Sequence, residues 1–188
     1  MVYRRVLKWP DKKLKLKSRD FVIKEDKQVY EDLLDTFSVV GGYGLSAPQI
    51  GFSVRVIVIN EKLLKQNENL SDKLVMINPK VVPIGEKVLF KEGCFSLPTI
   101  ELDIQRFSKV EVNWLNMDGS KGSGKFEGYS SACVQHEIDH LDGILTIDKI
   151  SQLRRSLFVK KYKKRKLLES KAKKSEIKKK PRRKKKKK

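Results

Sequence analysis

The chain has 188 residues, with 43 Lys+Arg against 23 Asp+Glu and a formal net charge of +20. Residues 151–188 hold 21 of the basic residues and only two acidic ones, so the first 150 residues are nearly neutral and long enough to bury a real core. No apolar run approaches the roughly 18 residues of a membrane span, no secretory signal is visible at the N-terminus, and two cysteines do not make a disulfide framework.

In chain order, Glu25 to Val39 reads as an amphipathic helix. Val29, Leu33, Leu34 and Phe37 share one face, and the following Gly41-Gly42 ends it. Val54 to Asn60 is rich in β-branched residues and reads as a buried strand. Leu74 to Asn78, Val81 to Val82 and Val88 to Phe90 read as short strands cut apart by Pro79, Pro83 and Gly85. Val110 to Leu115 alternates and leads through Asp118-Gly119 into a hairpin with Lys125 to Tyr129. Ser130 to Leu141 reads as a helix with Ser130 or Ser131 as its N-cap and Gly143 beyond its end. A last helix starts at Ser151 and turns Leu153, Leu157 and Phe158 toward the body. Past Leu168 almost nothing can pack, so a disordered lysine-rich tail is expected over 169–188. Strands gathered before one central helix indicate an α+β fold of small, mostly antiparallel sheets, not alternating βαβ units.

The strongest chemical signal is His136-Glu137-Ile138-Asp139-His140, an H-E-x-x-H pattern that contains both histidines of the chain. Residues four apart share a helix face, so both imidazoles can bind one metal ion while Glu137 reaches that ion's water. A catalytic site of this kind takes three protein ligands, and no third histidine exists. Asp142, Asp148 and Glu169 lie downstream without a convincing context. Upstream, Lys91-Glu92-Gly93-Cys94-Phe95-Ser96 places a soft thiolate beside a glycine. The bland alternative for Cys94 is a small buried core residue, the usual fate of an isolated cysteine. Cys133 precedes His136 by three positions and would crowd one helix stripe as a ligand, so it reads as core, and Asp139 lies off the ligand stripe. A third segment, Gly42-Tyr43-Gly44-Leu45-Ser46-Ala47-Pro48-Gln49, could be a plain connector or could hold the Gln49 amide for a developing oxyanion.

Together the three segments resemble the peptide deformylase family, whose motifs run G-x-G-L-A-A-x-Q, E-G-C-L-S and H-E-x-D-H. This chain reads GYGLSAPQ, EGCFS and HEIDH in the same order, and the resemblance covers roughly the first 150 to 165 residues. Two positions depart: Ser46 stands where the family has alanine, and Phe95 where it has leucine. The second could narrow the substrate pocket.

The resemblance implies that Cys94, His136 and His140 bind one divalent ion and that Glu137 is general base, then acid. It implies an oxyanion pocket from Gln49 and the Phe95 backbone N–H, which any residue but proline retains. Gly44 would contact the peptide, Glu92 would orient a ligand, and Ile50 and Val134 would line an apolar slot for methionine. The native ion would be iron(II), with zinc, nickel or cobalt possible in a preparation. The substrate would be the N-formylmethionyl end of nascent chains, and the product formate.

The organisation implied is a catalytic body over 1–150, a basic helix over 151–168 and a disordered tail over 169–188. Arg154, Arg155, Lys160, Lys161, Lys163, Lys164, Arg165 and Lys166 make that helix a polyanion binder. The resemblance supplies ribosomal RNA as partner, in a cytoplasmic monomer with no membrane contact. Two other readings remain. One is an H-E-x-x-H metallopeptidase, which needs a third ligand other than Cys94. The other is an RNA-binding protein on a degenerate scaffold, which releases no formate.

Overall fold

The computed structural model describes residues 2–65, 69, 71–98 and 100–179. Two compact units compose the chain, Met1–Lys149 and Ile150–Lys188. In the first, a five-stranded antiparallel sheet runs in the order β1 (Gly44–Ser46), β2 (Val56–Ile59), β3 (Leu74–Pro83), β6 (Lys109–Leu115), β7 (Lys121–Glu127). A separate hairpin pairs β4 (Lys87–Gly93) with β5 (Glu101–Phe107). Helix α1 spans Lys27–Val40, α2 is one short turn over Glu61–Lys65, and α3 spans Gly128–Leu141. The fold is α+β, as the sequence reading expects.

Strand β2 explains the architecture. Alternate side chains of a strand point to opposite faces. Val56 and Val58 join one core cluster, with Val29, Leu33 and Phe37 of α1. Ile57 and Ile59 join a second, with Val134, Ile138 and Leu141 of α3. All four β2 residues are fully buried, so the strand reads as an unbroken apolar run. Each such side chain contributes about 1.5–3 kcal/mol of burial energy. The sheet is therefore held between two helices, and α3 is fixed against its face.

The segments read as separate at Pro79 form one strand, β3. A register shift between Ile77 and Lys80 carries the proline, whose missing N–H a bulge tolerates. Asn78 takes the positive φ there (50°), and its side chain accepts from Phe21 N (2.7 Å) and donates to Phe21 O (3.0 Å). Strand β5 lies where no strand is expected. Its inward positions include Arg106, and a charged residue on the buried face breaks the apolar alternation a strand reading relies on.

The second unit carries α4, Gln152–Lys179. It continues past the expected helix end at residue 168 and through the first part of the expected disordered tail. Lysine, alanine and glutamate propagate a helix without packing, and no breaker occurs before Pro181. Residues 180–188, also expected to be disordered, lie outside the described residues. Leu153 and Leu157, expected on a packed face, are exposed, while Phe158 stacks on Tyr162 at 6.1 Å. Among the described residues no helix is long and apolar enough to cross a membrane.

Candidate active site

Helix α3 presents the chemistry. Its start differs from the expected serine cap. Glu127 is the capping residue, and the Ser130 hydroxyl reaches back to accept from Glu127 N (3.1 Å). Further along, Gln135 bonds both backbone groups of Phe107: Nε2 donates to its carbonyl (2.8 Å) and Oε1 accepts from its N–H (3.1 Å). Ser131 Oγ donates to the same carbonyl at 2.8 Å. These bonds fasten α3 to the end of β5.

One turn on, His136 and His140 stack edge to face with ring centroids 5.0 Å apart. Cys94, just past the end of β4, brings its Sγ to 3.3 Å from His140 Nε2. One ligand atom from each of Cys94, His136 and His140 can be chosen so that all lie within 4.8 Å of one another. A thiolate and two imidazoles converging on a single point are a donor set for a divalent transition metal. His136 is aimed by its far side, where Nδ1 meets Glu92 Oε2 at 2.8 Å. That leaves Nε2 free to face the other ligands, the usual orientation of a metal-binding histidine.

Glu92 is itself held by Arg106, whose Nε and Nη2 reach its two oxygens at 2.6 and 2.9 Å. Arg106 Nη1 bonds Asp139, which also pairs with Lys149 at 3.0 Å. Desolvation would raise the Glu92 carboxyl, but Arg106 and His136 outweigh it and hold the group below its ordinary range. At Cys94, burial opposes ionisation, yet the charges of His140 and His136 bring the thiol well below its usual value. A ready thiolate is the form a metal ligand requires.

Glu137 is buried, and its Oε2 has no hydrogen-bond partner among the described residues. Burial raises its pKa, with the Cys94 charge adding to the effect and the imidazoles of His136 and His140 opposing it. A carboxyl raised this way holds a proton more readily than an ordinary one, as a group that must take up and return a proton requires. Gly44 passes so close that a methyl built on it would lie 2.9 Å from Glu137 Cγ and Oε1 and 3.0 Å from Cys133 Sγ.

Gln49 sits in a 3-10 turn, Ala47–Ile50, and is buried, with Nε2 3.7 Å from Cys94 Sγ and 3.4 Å from Ser96 Oγ. An N-terminal strap holds both flanks of this pocket. Leu7 N donates to Gln49 O (2.7 Å), Trp9 N donates to Ser96 O (2.9 Å), and Lys8 Nζ donates to Phe95 O. Beside Cys94, an open cleft of about 730 Å³ is lined also by Gly93, Leu97 and Ile100.

The structure thus brings together Cys94, His136, His140, Glu137, Glu92, Gly44 and Gln49. It does not bring Val134 or Ile50 to an open slot. Val134 is fully buried in the α3 core cluster and Ile50 in the α1 cluster, because each points into the sheet side of its element. Half-buried Cys133, read as core, stands closer to the chemistry, and burial together with Glu137 pushes its thiol well up. The Phe95 ring packs on Gly42, where a methyl would meet Cζ at 2.7 Å. Arg106 and Lys8 escaped the sequence reading, and Ser46 entered it only as a departure within a motif.

A family model described as Polypeptide deformylase matches residues 3–156. The peptide deformylase of Thermodesulfovibrio yellowstonii is 39% identical over 163 residues, covering 86% of this chain and 97% of its own length. The crystal structure of a peptide deformylase from Legionella pneumophila superposes with a TM-score of 0.78 at 33% identity, covering 90% of this chain and 98% of that one. That of the Ehrlichia chaffeensis enzyme in complex with actinonin gives 0.77 at 32% identity, covering 88% and 98%. With its three motifs converging on one metal-type donor set, the chain belongs to the peptide deformylase family.

Proposed function

We propose that the chain removes the formyl group from N-formylmethionyl peptides, releasing formate and a free amine. The observation that carries this reading is the convergence of Cys94, His136 and His140 beside a buried carboxyl and a buried amide. Cys94, His136 and His140 would hold one divalent ion, which would supply Lewis acidity and make a water easier to deprotonate. Glu137 takes the water's proton as the formyl carbon is attacked and returns it to the leaving amine. Gln49 Nε2 and the Phe95 N–H donate to the oxygen that becomes negative. Gly44 lets Glu137 and Cys133 pack directly against its backbone, and that backbone would contact the peptide. In place of Val134 and Ile50, we assign the methionine slot to the neighbourhood of Cys133, whose Sγ lies beside Gly44 and whose thiol suits an apolar neighbour.

Iron(II) is the ion we assign in the cell. The donor set also accepts nickel, cobalt or zinc. A thiolate beside ferrous iron is open to oxidation, so activity decays in air and lasts longer with nickel or cobalt. The body up to residue 150 is the catalytic part. The basic helix beyond it tethers the enzyme to ribosomal RNA in the cytoplasm, raising the local concentration of nascent substrate. The test is formate release from formyl-Met-Ala by chain loaded with iron(II), nickel or cobalt. Turnover with at least one metal is expected. Formate from none of them would overturn this reading.

A further inference from the structure

Ser46 supplies a hydroxyl at the motif position where alanine is the family residue, and the structure gives that hydroxyl a partner. The amide oxygen of Gln49 accepts from Ser46 N at 2.9 Å and from Ser46 Oγ at 2.9 Å. A carbonyl oxygen has two lone pairs, so one residue fills both. Ser46 and Gln49 are both buried, at 0% and 1% exposure, and no bulk water competes for the site.

The nitrogen side of the same amide is held far more loosely. Nε2 lies 3.7 Å from Cys94 Sγ and 3.4 Å from Ser96 Oγ, both long contacts. What decides which end of the amide faces the ligand cluster is therefore the oxygen side. Flipped, the NH₂ group would confront the Ser46 N–H, two buried donors with no acceptor between them. An alanine would keep the backbone bond and lose the second one.

We propose that Ser46 is a positioning residue of the oxyanion pocket: its N–H and O–H together saturate Gln49 Oε1 and aim the amide nitrogen at the reacting carbonyl. The proposal rests on the deformylase reading for its consequence in turnover, though not for its geometry.

Two readouts test it on the full chain. In nickel-loaded protein, Ser46→Ala lowers kcat about tenfold, the worth of one buried hydrogen bond, while KM and nickel content stay as in the parent. In a Gln49→Ala background the same substitution changes kcat no further, because its effect runs through the amide. An unchanged kcat in Ser46→Ala, or an equal loss in both backgrounds, would overturn the proposal. The second readout is the Gln49 side-chain amide in a nitrogen-15 spectrum of zinc-loaded protein, assigned by its absence in Gln49→Ala. In the parent its two protons are distinct and slow to exchange, and in Ser46→Ala they exchange faster and shift together. Identical amide signals in both proteins refute the lock. If the parent releases no formate, the deformylase reading fails, and the amide spectrum still judges the geometry.

Discussion

Arg106 grips both oxygens of Glu92, at 2.6 and 2.9 Å, and all of this happens out of water. The pair is the support on which His136 stands, since Glu92 Oε2 also bonds His136 Nδ1. Arg106→Leu leaves the Glu92 carboxylate buried without its partner, a loss of about 3–5 kcal/mol of stability. The same change loosens the orientation of a ligand, so metal affinity falls about 10–100-fold. Urea unfolding measures the first effect and chelator competition the second. Metal affinity equal to the parent's would show that the Arg106–Glu92 pair does not act on His136.

Glu137→Gln keeps the shape of the side chain and removes its ability to carry a proton. Turnover is expected to fall about 10²–10⁴-fold, the contribution of general acid–base catalysis. Metal content stays at one ion per chain, because Glu137 is not one of the three converging donors. Formate assay and metal analysis on one preparation check both halves. Normal turnover in this variant would refute the assigned base.

The histidine motif, the buried β2 run and the two main helices were legible because each is written in a local period. Three features were not, for physical reasons. Arg106 occupies an inward position of β5, and its burial depends on Glu92 from the neighbouring strand and Asp139 from α3. Nothing local marks such a residue. Val134 is two positions before His136, and the sequence does not say which helix face meets the sheet. It faces the sheet core, while Cys133, one step earlier, turns toward Gly44 and Glu137. Helix α4 reaches Lys179 on propensity alone, which the scarcity of apolar residues past Leu168 does not reveal.

Gly44 has no side chain where the chemistry is tightest. In Gly44→Ala the added methyl meets Glu137 Cγ and Oε1 at 2.9 Å and Cys133 Sγ at 3.0 Å, so the carboxyl must move. A shift of that size at a reacting group costs about 10²-fold in kcat/KM. Tm is expected to change little by comparison, since the glycine lies on a three-residue edge strand. Steady-state kinetics and a thermal melt give the contrast. Parent-like kcat/KM would mean that Glu137 has room to retreat.

Asp26 accepts from Arg19 Nη1 at 2.7 Å, from Arg19 Nη2 at 2.6 Å and from Val22 N at 2.8 Å. The bond from Arg19 comes first among the causes that hold its carboxyl below the ordinary range. The unfolded chain, with an Asp pKa of about 3.9, binds the proton more readily than the folded one. The stabilisation is therefore present above that value and disappears as pH falls through the lower folded value. Asp26→Asn is expected to be less stable than the parent at pH 7, with the gap closing in acid. Urea midpoints across a pH series show this. A constant gap would mean that the amide loses packing instead of charge.

The charge of the last helix gives the remaining expectation. Arg154, Arg155, Lys160, Lys161, Lys163, Lys164, Arg165 and Lys166 lie within little more than three turns of α4, and lysines continue beyond. Binding to an RNA backbone through such a segment releases counterions, so affinity falls steeply and linearly with salt on logarithmic axes. Removing residues 163–188 should abolish co-sedimentation with ribosomes at low salt. It should leave kcat and KM on formyl-Met-Ala unaltered, because all three converging donors lie within Met1–Lys149. Pelleting of the parent should itself disappear as salt is raised. Pelleting that survives the deletion would remove the tether and leave the charge as a solubilising feature.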